Sequence, residues 1–201
     1  MTRIHISRIR YIIACAILVL LIITQTGCSK SIEPLSSENY YLDTTCSLFI
    51  YDMDGELDED NAQKVFDDAW ELCRELDKTL SKTVDVSDVS RINSANGQWV
   101  EVSEYTLDVV KAGIKYSEMS GGDFDITIGT VTDLWDYHSD NPEVPSQATI
   151  DEALSHVGYK QIRIQGNQIK LSDPKAKLDL GGIAKGYVAD KLAELMQKEG
   201  V

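Results

Sequence analysis

The segment Lys177-Leu-Asp-Leu-Gly-Gly-Ile-Ala-Lys-Gly-Tyr187 constrains the fold more than any other. A short apolar run carrying one carboxylate, Asp179, ends in a glycine pair, and apolar residues at helical spacing restart at once as Val188, Leu192, Leu195 and Met196. Residues 178–180 therefore read as the end of a strand and residues 184–197 as a helix, with Gly181 and Gly182 at its entrance. Unpaired N–H groups and the positive end of the helix dipole collect there, and glycine lets an anion approach the backbone with no Cβ in the way. Lys185 adds a mobile positive charge. The spacing is neither Gly-x-Gly-x-x-Gly nor a P-loop, whose lysine follows its second glycine directly. A strand-to-helix turn also needs glycine on steric grounds, so the local pattern leaves a phosphate cradle and a plain turn both open.

The rest of the chain supplies elements of both kinds. Residues 40–51 read as a strand. The acidic stretch 54–61 does not have the ligand order of an EF-hand and reads as a turn and helix start, capped by Asp58 or Asp60. Residues 62–80 place Val65, Ala69, Leu72 and Leu76 on one face, widened by Phe66, Trp70 and Cys73, which predicts a core-facing helix. Residues 81–96 are polar and read as a surface loop. Ser103 caps a second helix running to Met119, where Gly121 and Gly122 stop it. If residues 123–130 are extended, Asp123 and Asp125 project to one face. Thr149 and Glu152 form a capping box for a short helix to about His156. Residues 161–165 and 168–172 flank a Gly166-Asn167 turn and form a hairpin. Together these predict an α+β fold with a mainly antiparallel sheet and packed helices.

At the other end, Arg3, Arg8 and Arg10 precede an unbroken apolar run over residues 11–23, the pattern of a targeting segment and too short to span a bilayer comfortably. Gly27-Cys28 resembles a bacterial lipobox, with Gln25 where an aliphatic residue is usual. The expected organisation is a signal peptide over 1–27, lipidation at Cys28, a polar tether over 28–39 and one domain over 40–201, held on the extracytoplasmic face of the cell membrane. From Cys28 onward 33 acidic residues face 16 basic ones, which makes nucleic acid a poor partner. A polyphosphate would need a local positive spot or a divalent cation to approach such a chain. Cys46 and Cys73 lack metal-ligand spacing and read as buried thiols rather than a disulfide. His5, His138 and His156 fall in the signal, a loop and a helix end, and read as surface or structural.

Four ordered segments carry a resemblance: Leu42-Asp-Thr-Thr45, Ser87-Asp-Val-Ser-Arg-Ile-Asn93, Gly121-Gly-Asp-Phe-Asp-Ile-Thr-Ile-Gly129 with Leu134-Trp135, and Asp179-Leu-Gly-Gly-Ile-Ala-Lys-Gly186. From about Tyr40 to its last residue the chain resembles the ApbE family of FAD:protein FMN transferases. The resemblance implies that FMN passes from FAD to a Thr or Ser of an acceptor flavoprotein in a membrane or extracytoplasmic electron-transfer system, with release of AMP. It implies FAD contacts at Asp123, Phe124, Asp125, Asp179 and Lys185. Leu42 stands where the family usually presents a methionine to the flavin. Thr83 stands where a tyrosine is common, so a stacking ring would have to come from Tyr105 or Trp99. The family's Mg2+ site joins a backbone oxygen of the glycine loop, here Gly182, to an Asp and a Thr of a later motif that these 201 residues do not contain. The family's His-Ile-x-Asp-Pro stretch is not among them either, so no catalytic residue is assigned. The sequence therefore reads as the N-terminal portion of a transferase, inactive alone. The alternatives are an FAD-binding lipoprotein without transferase activity, or a flavin acceptor, for which Thr127-Ile-Gly-Thr130 is a poor acceptor segment.

Overall fold

The computed structural model describes residues 33–54, 58–135 and 142–201. The targeting segment, Cys28, His5 and His138 lie outside the described residues. The widest apolar stripe forms helix α1 (Glu59–Leu80), which starts where the Asp58 carboxylate accepts the Asn61 N–H at 2.7 Å. Its inner face buries Val65, Phe66, Ala69, Trp70, Cys73 and Leu76 as the spacing predicts, together with Ala62 and Leu80, while Leu72 is only partly buried.

Ahead of α1, strands β1 (Leu35–Tyr41) and β2 (Thr44–Ile50) form an antiparallel hairpin in which Leu35 faces Ile50 and Tyr41 faces Thr44. The polar tether is thus corrected: residues 35–39 belong to β1, and the single strand expected over 40–51 is two strands and a turn. Leu42 and Asp43 make that turn with φ of 54° and 56°, both in the left-handed region. Such a turn normally announces itself through Asn-Gly, which is lacking here, so nothing local flags it. Trp70 bolts the hairpin to α1. Its ring stacks on Tyr41 with centroids 6.1 Å apart, and its Nε1–H donates to Ser37 Oγ at 2.9 Å.

The expected surface loop after α1 contains helix α2 (Asp88–Ser94), capped by Ser87 Oγ, which accepts the Ser90 N–H. Asp88 is buried and accepts from the Ser103 N–H at 2.7 Å, from Thr106 Oγ1 at 2.8 Å and from Arg91. Burial alone would raise its pKa, but these bonds outweigh burial and hold the carboxyl below its usual range. After β3 (Val100–Glu101) comes α3 (Glu104–Met119), capped by Ser103 and stopped by Gly121 and Gly122 at positive φ.

Residues 123–130 are not extended. Asp125 Oδ1 accepts from both the Thr127 N–H and Thr127 Oγ1 and folds the segment into a turn before the single-turn helix α4 (Gly129–Thr132). Helix α5 (Gln147–Leu154) is capped by Ser146 rather than Thr149. A 3-10 turn (Tyr159–Gln161) leads into β4 (Ile162–Gln165) and β5 (Gln168–Leu171), joined at the expected Gly166-Asn167 turn. The second sheet has strand order β3-β5-β4, and every pairing between named strands is antiparallel. Helix α6 (Ala184–Lys198) packs on α1, with Val188 and Leu192 buried in the shared core. The fold is α+β with antiparallel strands, divided between two small sheets rather than one.

Candidate functional site

The site grows from residues 177–184. Leu178 is fully buried, and its N–H and C=O are both taken by the side-chain amide of Asn93, at 2.7 and 2.9 Å. On the other side the Gly129 N–H donates to the Lys177 carbonyl and the Asp179 N–H to the Ile126 carbonyl. The expected strand end at 178–180 is therefore an extended segment held by one parallel bridge, Ile128 to Lys177, and by a side chain. The approach is so close that a Cβ on Gly129 would lie 2.6 Å from the Lys177 carbonyl oxygen.

This clamping aims the Asp179 side chain at a cation that the motifs do not include. Asp179 Oδ2 lies 2.9 Å from Lys82 Nζ and accepts from Thr132 Oγ1 at 2.7 Å, while Oδ1 accepts the Gly181 N–H at 2.9 Å. Lys82 also pairs with Asp133 Oδ1 at 2.9 Å, and Lys177 closes the chain of charges on Asp133 Oδ2 at 2.8 Å. Burial alone would raise the pKa values of Asp179 and Asp133. For Asp179 the bonds from Lys82, Thr132 and Gly181 outweigh burial, and for Asp133 those from Lys177 and Lys82 do; both carboxyls stay below their usual range. Burial likewise works against the charge on Lys82, but Asp179 and Asp133 outweigh it and raise its pKa.

The glycine turn does not offer a row of unpaired amides. Gly181 N–H is taken by Asp179, and the N–H groups of Ile183 and Ala184 both donate to the Leu180 carbonyl as α6 begins. Gly182 has a different reason to be glycine: a Cβ there would come within 3.0 Å of the Phe124 ring.

Two adjoining clefts open on this turn. The first is lined by Leu42, Asp43, Lys82, Thr83, Asp179 and Lys185 among others. The second, of about 600 Å³, is lined by Asp123, Phe124, Asp125, Thr132 and Gly182 and shares Asp179 and Gly181 with the first. Every residue expected to contact FAD or Mg2+ thus lines one of the two. Their states differ. The side chains of Lys185 and Asp123 are exposed and have no hydrogen-bond or ion-pair partner among the described residues. Asp125 is occupied: besides Thr127 it accepts the Tyr159 N–H on Oδ2 at 2.7 Å, while Thr127 Oγ1 accepts the Gly158 N–H. Leu42 is held by its N–H, which donates to Asp77 Oδ1 at 3.2 Å.

Neither Trp99 nor Tyr105 lines the cleft that Thr83 shares with Leu42; Trp99 instead carries Lys170 Nζ 4.9 Å above its ring. His156 pairs with Asp173 Oδ2 at 2.6 Å and lines neither cleft. Cys46 and Cys73 are free thiols, and burial, followed by the charges of Cys46 and Asp77, pushes Cys73 up to about 11. No group of three His, Cys, Asp or Glu side chains among the described residues could hold a metal. Motif reading missed Lys82, Thr132 and Asp133. Their only local signal is position, Lys82 beside Thr83 and the other two between Gly129 and Leu134.

Comparison with known proteins bears on the same segments. The ApbE family description matches residues 42–201. The FAD:protein FMN transferase of Vibrio cholerae is 28% identical over 194 residues, covering 95% of this chain and 56% of that protein. That of Salmonella typhimurium is 33% identical over 106 residues, 50% of this chain and 30% of that protein. Among solved structures, the ApbE protein of Thermotoga maritima matches with a TM-score of 0.74 at 28% identity, over 83% of this chain and 53% of its own. The Vibrio cholerae flavin transferase ApbE gives 0.74 at 25% identity, over 83% and 54%. The chain spans about half the length of these relatives, or less. The family match runs through the hairpin turn, Asn93, the Asp123–Asp125 turn and the glycine turn, all of which build the two clefts, and the chain belongs to the ApbE family.

Proposed function

We propose that these residues form the FAD-holding part of an FAD:protein FMN transferase, which moves FMN from FAD to a Thr or Ser hydroxyl of an acceptor flavoprotein and releases AMP. The observation that carries this reading is convergence. Leu42, Thr83 and the pair Asp179 and Lys185 come from three distant segments and line one cleft, and Asp123, Phe124, Asp125 and Gly182 line the cleft that adjoins it. Leu42 with Leu80 and Leu180 gives the first cleft an apolar wall suited to a flavin ring, and Lys185 brings positive charge to its rim. The exposed carboxylate of Asp123 can accept from ribose hydroxyls or an adenine amino group.

Magnesium belongs to the same proposal. Mg2+ is commonly held by one or two protein oxygens with water and substrate phosphates completing its shell, and the carbonyl of Gly182 with the carboxylate of Asp123 are such donors in one cleft. When bound, it would neutralise charge developing on the diphosphate and so favour departure of AMP. The chain's own residues hold and orient the dinucleotide, and the base that takes the acceptor hydroxyl's proton is unassigned. Lipidation at Cys28 and an extracytoplasmic membrane location complete the reading. They are supported by the Arg-flanked apolar run and the lipobox-like Gly27-Cys28.

The test uses the full-length protein with FAD, Mg2+ and an acceptor flavoprotein. The expected result is an FMN mass increment on one Thr or Ser of the acceptor, matched by AMP release and abolished by EDTA. FAD binding with neither adduct nor AMP would overturn the transferase reading. Lys185→Ala is expected to weaken FAD binding about tenfold, as loss of one charge-assisted contact does. Labelling cells with a palmitate analogue should mark the protein, and Cys28→Ser should remove the label.

A further inference from the structure

We propose that Lys82 is a positioning residue for this site: it clamps Asp179, and through it the glycine turn, without itself touching the nucleotide. The proposal rests on the FAD reading above. An ammonium group has three hydrogens, and Lys82 Nζ has three acceptors, Thr132 Oγ1, Asp133 Oδ1 and Asp179 Oδ2, each at 2.9 Å. No donor is left for a phosphate. Lys185, exposed on the same cleft without an ion pair among the described residues, is in the opposite state.

The acceptors lie at the end of α4 and before the glycine turn, so one side chain ties the loop after α1 to both. Thr132 reinforces the tie by accepting from Lys82 and donating to Asp179. With Oδ2 held by Lys82 and Thr132, the other oxygen of Asp179 is aimed at the Gly181 N–H. Removing the lysine leaves a largely buried carboxylate short of its cation, a costly state that relaxes by rotation or protonation. Either outcome releases Gly181 and reshapes the boundary between the two clefts. The charged groups bonded to Asp179 in this arrangement are Lys82 and, through shared partners, Asp133 and Lys177, while Asp43, Lys185, Asp123 and Asp125 line the clefts it borders.

The experiment compares the full-length protein with Lys82→Met and Lys82→Arg by two readouts. One is FAD affinity from flavin fluorescence. The other is the pH titration of the Gly181 amide shift in 15N-glycine-labelled protein without ligand. Lys82→Met is expected to weaken FAD binding about tenfold and to move the acid inflection of Gly181 to higher pH. Lys82→Arg keeps the charge and is expected to recover most of both. Unchanged affinity together with an unmoved inflection in Lys82→Met would overturn the proposal. If the unsubstituted protein fails to bind FAD, the FAD reading falls and the Gly181 inflection alone decides the role of Lys82. Should Lys82→Met not fold, the unsubstituted protein still decides: an inflection at the ordinary carboxylate value of about 3.9 would mean that Asp179 is not clamped.

Discussion

Asp125 shows how much one side chain can do that its neighbours in sequence do not reveal. Spacing predicts that Asp123 and Asp125 form a pair on one face. In the structure Asp123 is exposed in a cleft, while Asp125 joins its own turn to the Gly158-Tyr159 backbone more than thirty positions away. Asp125→Asn replaces an acceptor with a donor at that junction and is expected to destabilise the fold by about 2 kcal/mol, read as a lower urea midpoint. Asp123→Asn should leave that midpoint unchanged and alter only ligand affinity. Gly129→Ala is a sharper test of packing. The added methyl would meet two backbone carbonyls, which cannot move aside as a flexible side chain can, and the expected cost is about 2–3 kcal/mol. At this scale the sequence identified the chemistry of residues but not their partners. Asp179 was legible as a carboxylate before a glycine pair; Lys82 was one lysine in a polar stretch.

At the scale of elements, legibility followed the length and amphipathicity of each segment. Helices α1, α3 and α6 were readable because each repeats apolar residues over several turns. The β4-β5 hairpin was readable because Gly166 supplies a left-handed turn position, at φ 59°. Helix α2 was not, since seven residues with only Val89 and Ile92 buried among the apolar ones establish no period. Strand β1 was not, because Ser36, Ser37, Glu38 and Asn39 look like linker; what recruits them is a ladder with β2 and the contact of Ser37 with Trp70. The Leu42-Asp43 turn carries a conformational cost that glycine would relieve. Asp43→Gly is expected to stabilise the protein by about 1 kcal/mol, visible as a higher melting temperature. Asp77→Ala frees the Leu42 N–H and should speed its hydrogen exchange while leaving the core of α1 protected.

For the molecule as a whole, pH couples the site to the fold. Asp88, Asp133 and Asp179 all have pKa values lowered on folding, because their hydrogen bonds and ion pairs outweigh burial. Their contribution is present above the ordinary carboxylate pKa and is lost as pH falls through the lower folded values. The melting temperature is therefore expected to hold from neutral pH down to about pH 5 and to drop steeply below about pH 4. Lys82 acts at the other end: its raised pKa gives a contribution present at neutral pH and lost only as strongly alkaline pH passes its folded value. A steep melting-temperature loss between pH 5 and 7 would contradict this assignment.

By itself the sequence determined the long helices, the late hairpin, the glycine turn and the family, because each is written in residues close together in the chain. Only the tertiary structure decided that Lys82 meets Thr132 across 50 positions, that Thr132 meets Asp179 across 47, and that Asn93 pairs with Leu178 across 85. Those bonds form where helices and extended segments happen to pack, and hydrophobic periodicity states which face is buried without stating what it is buried against.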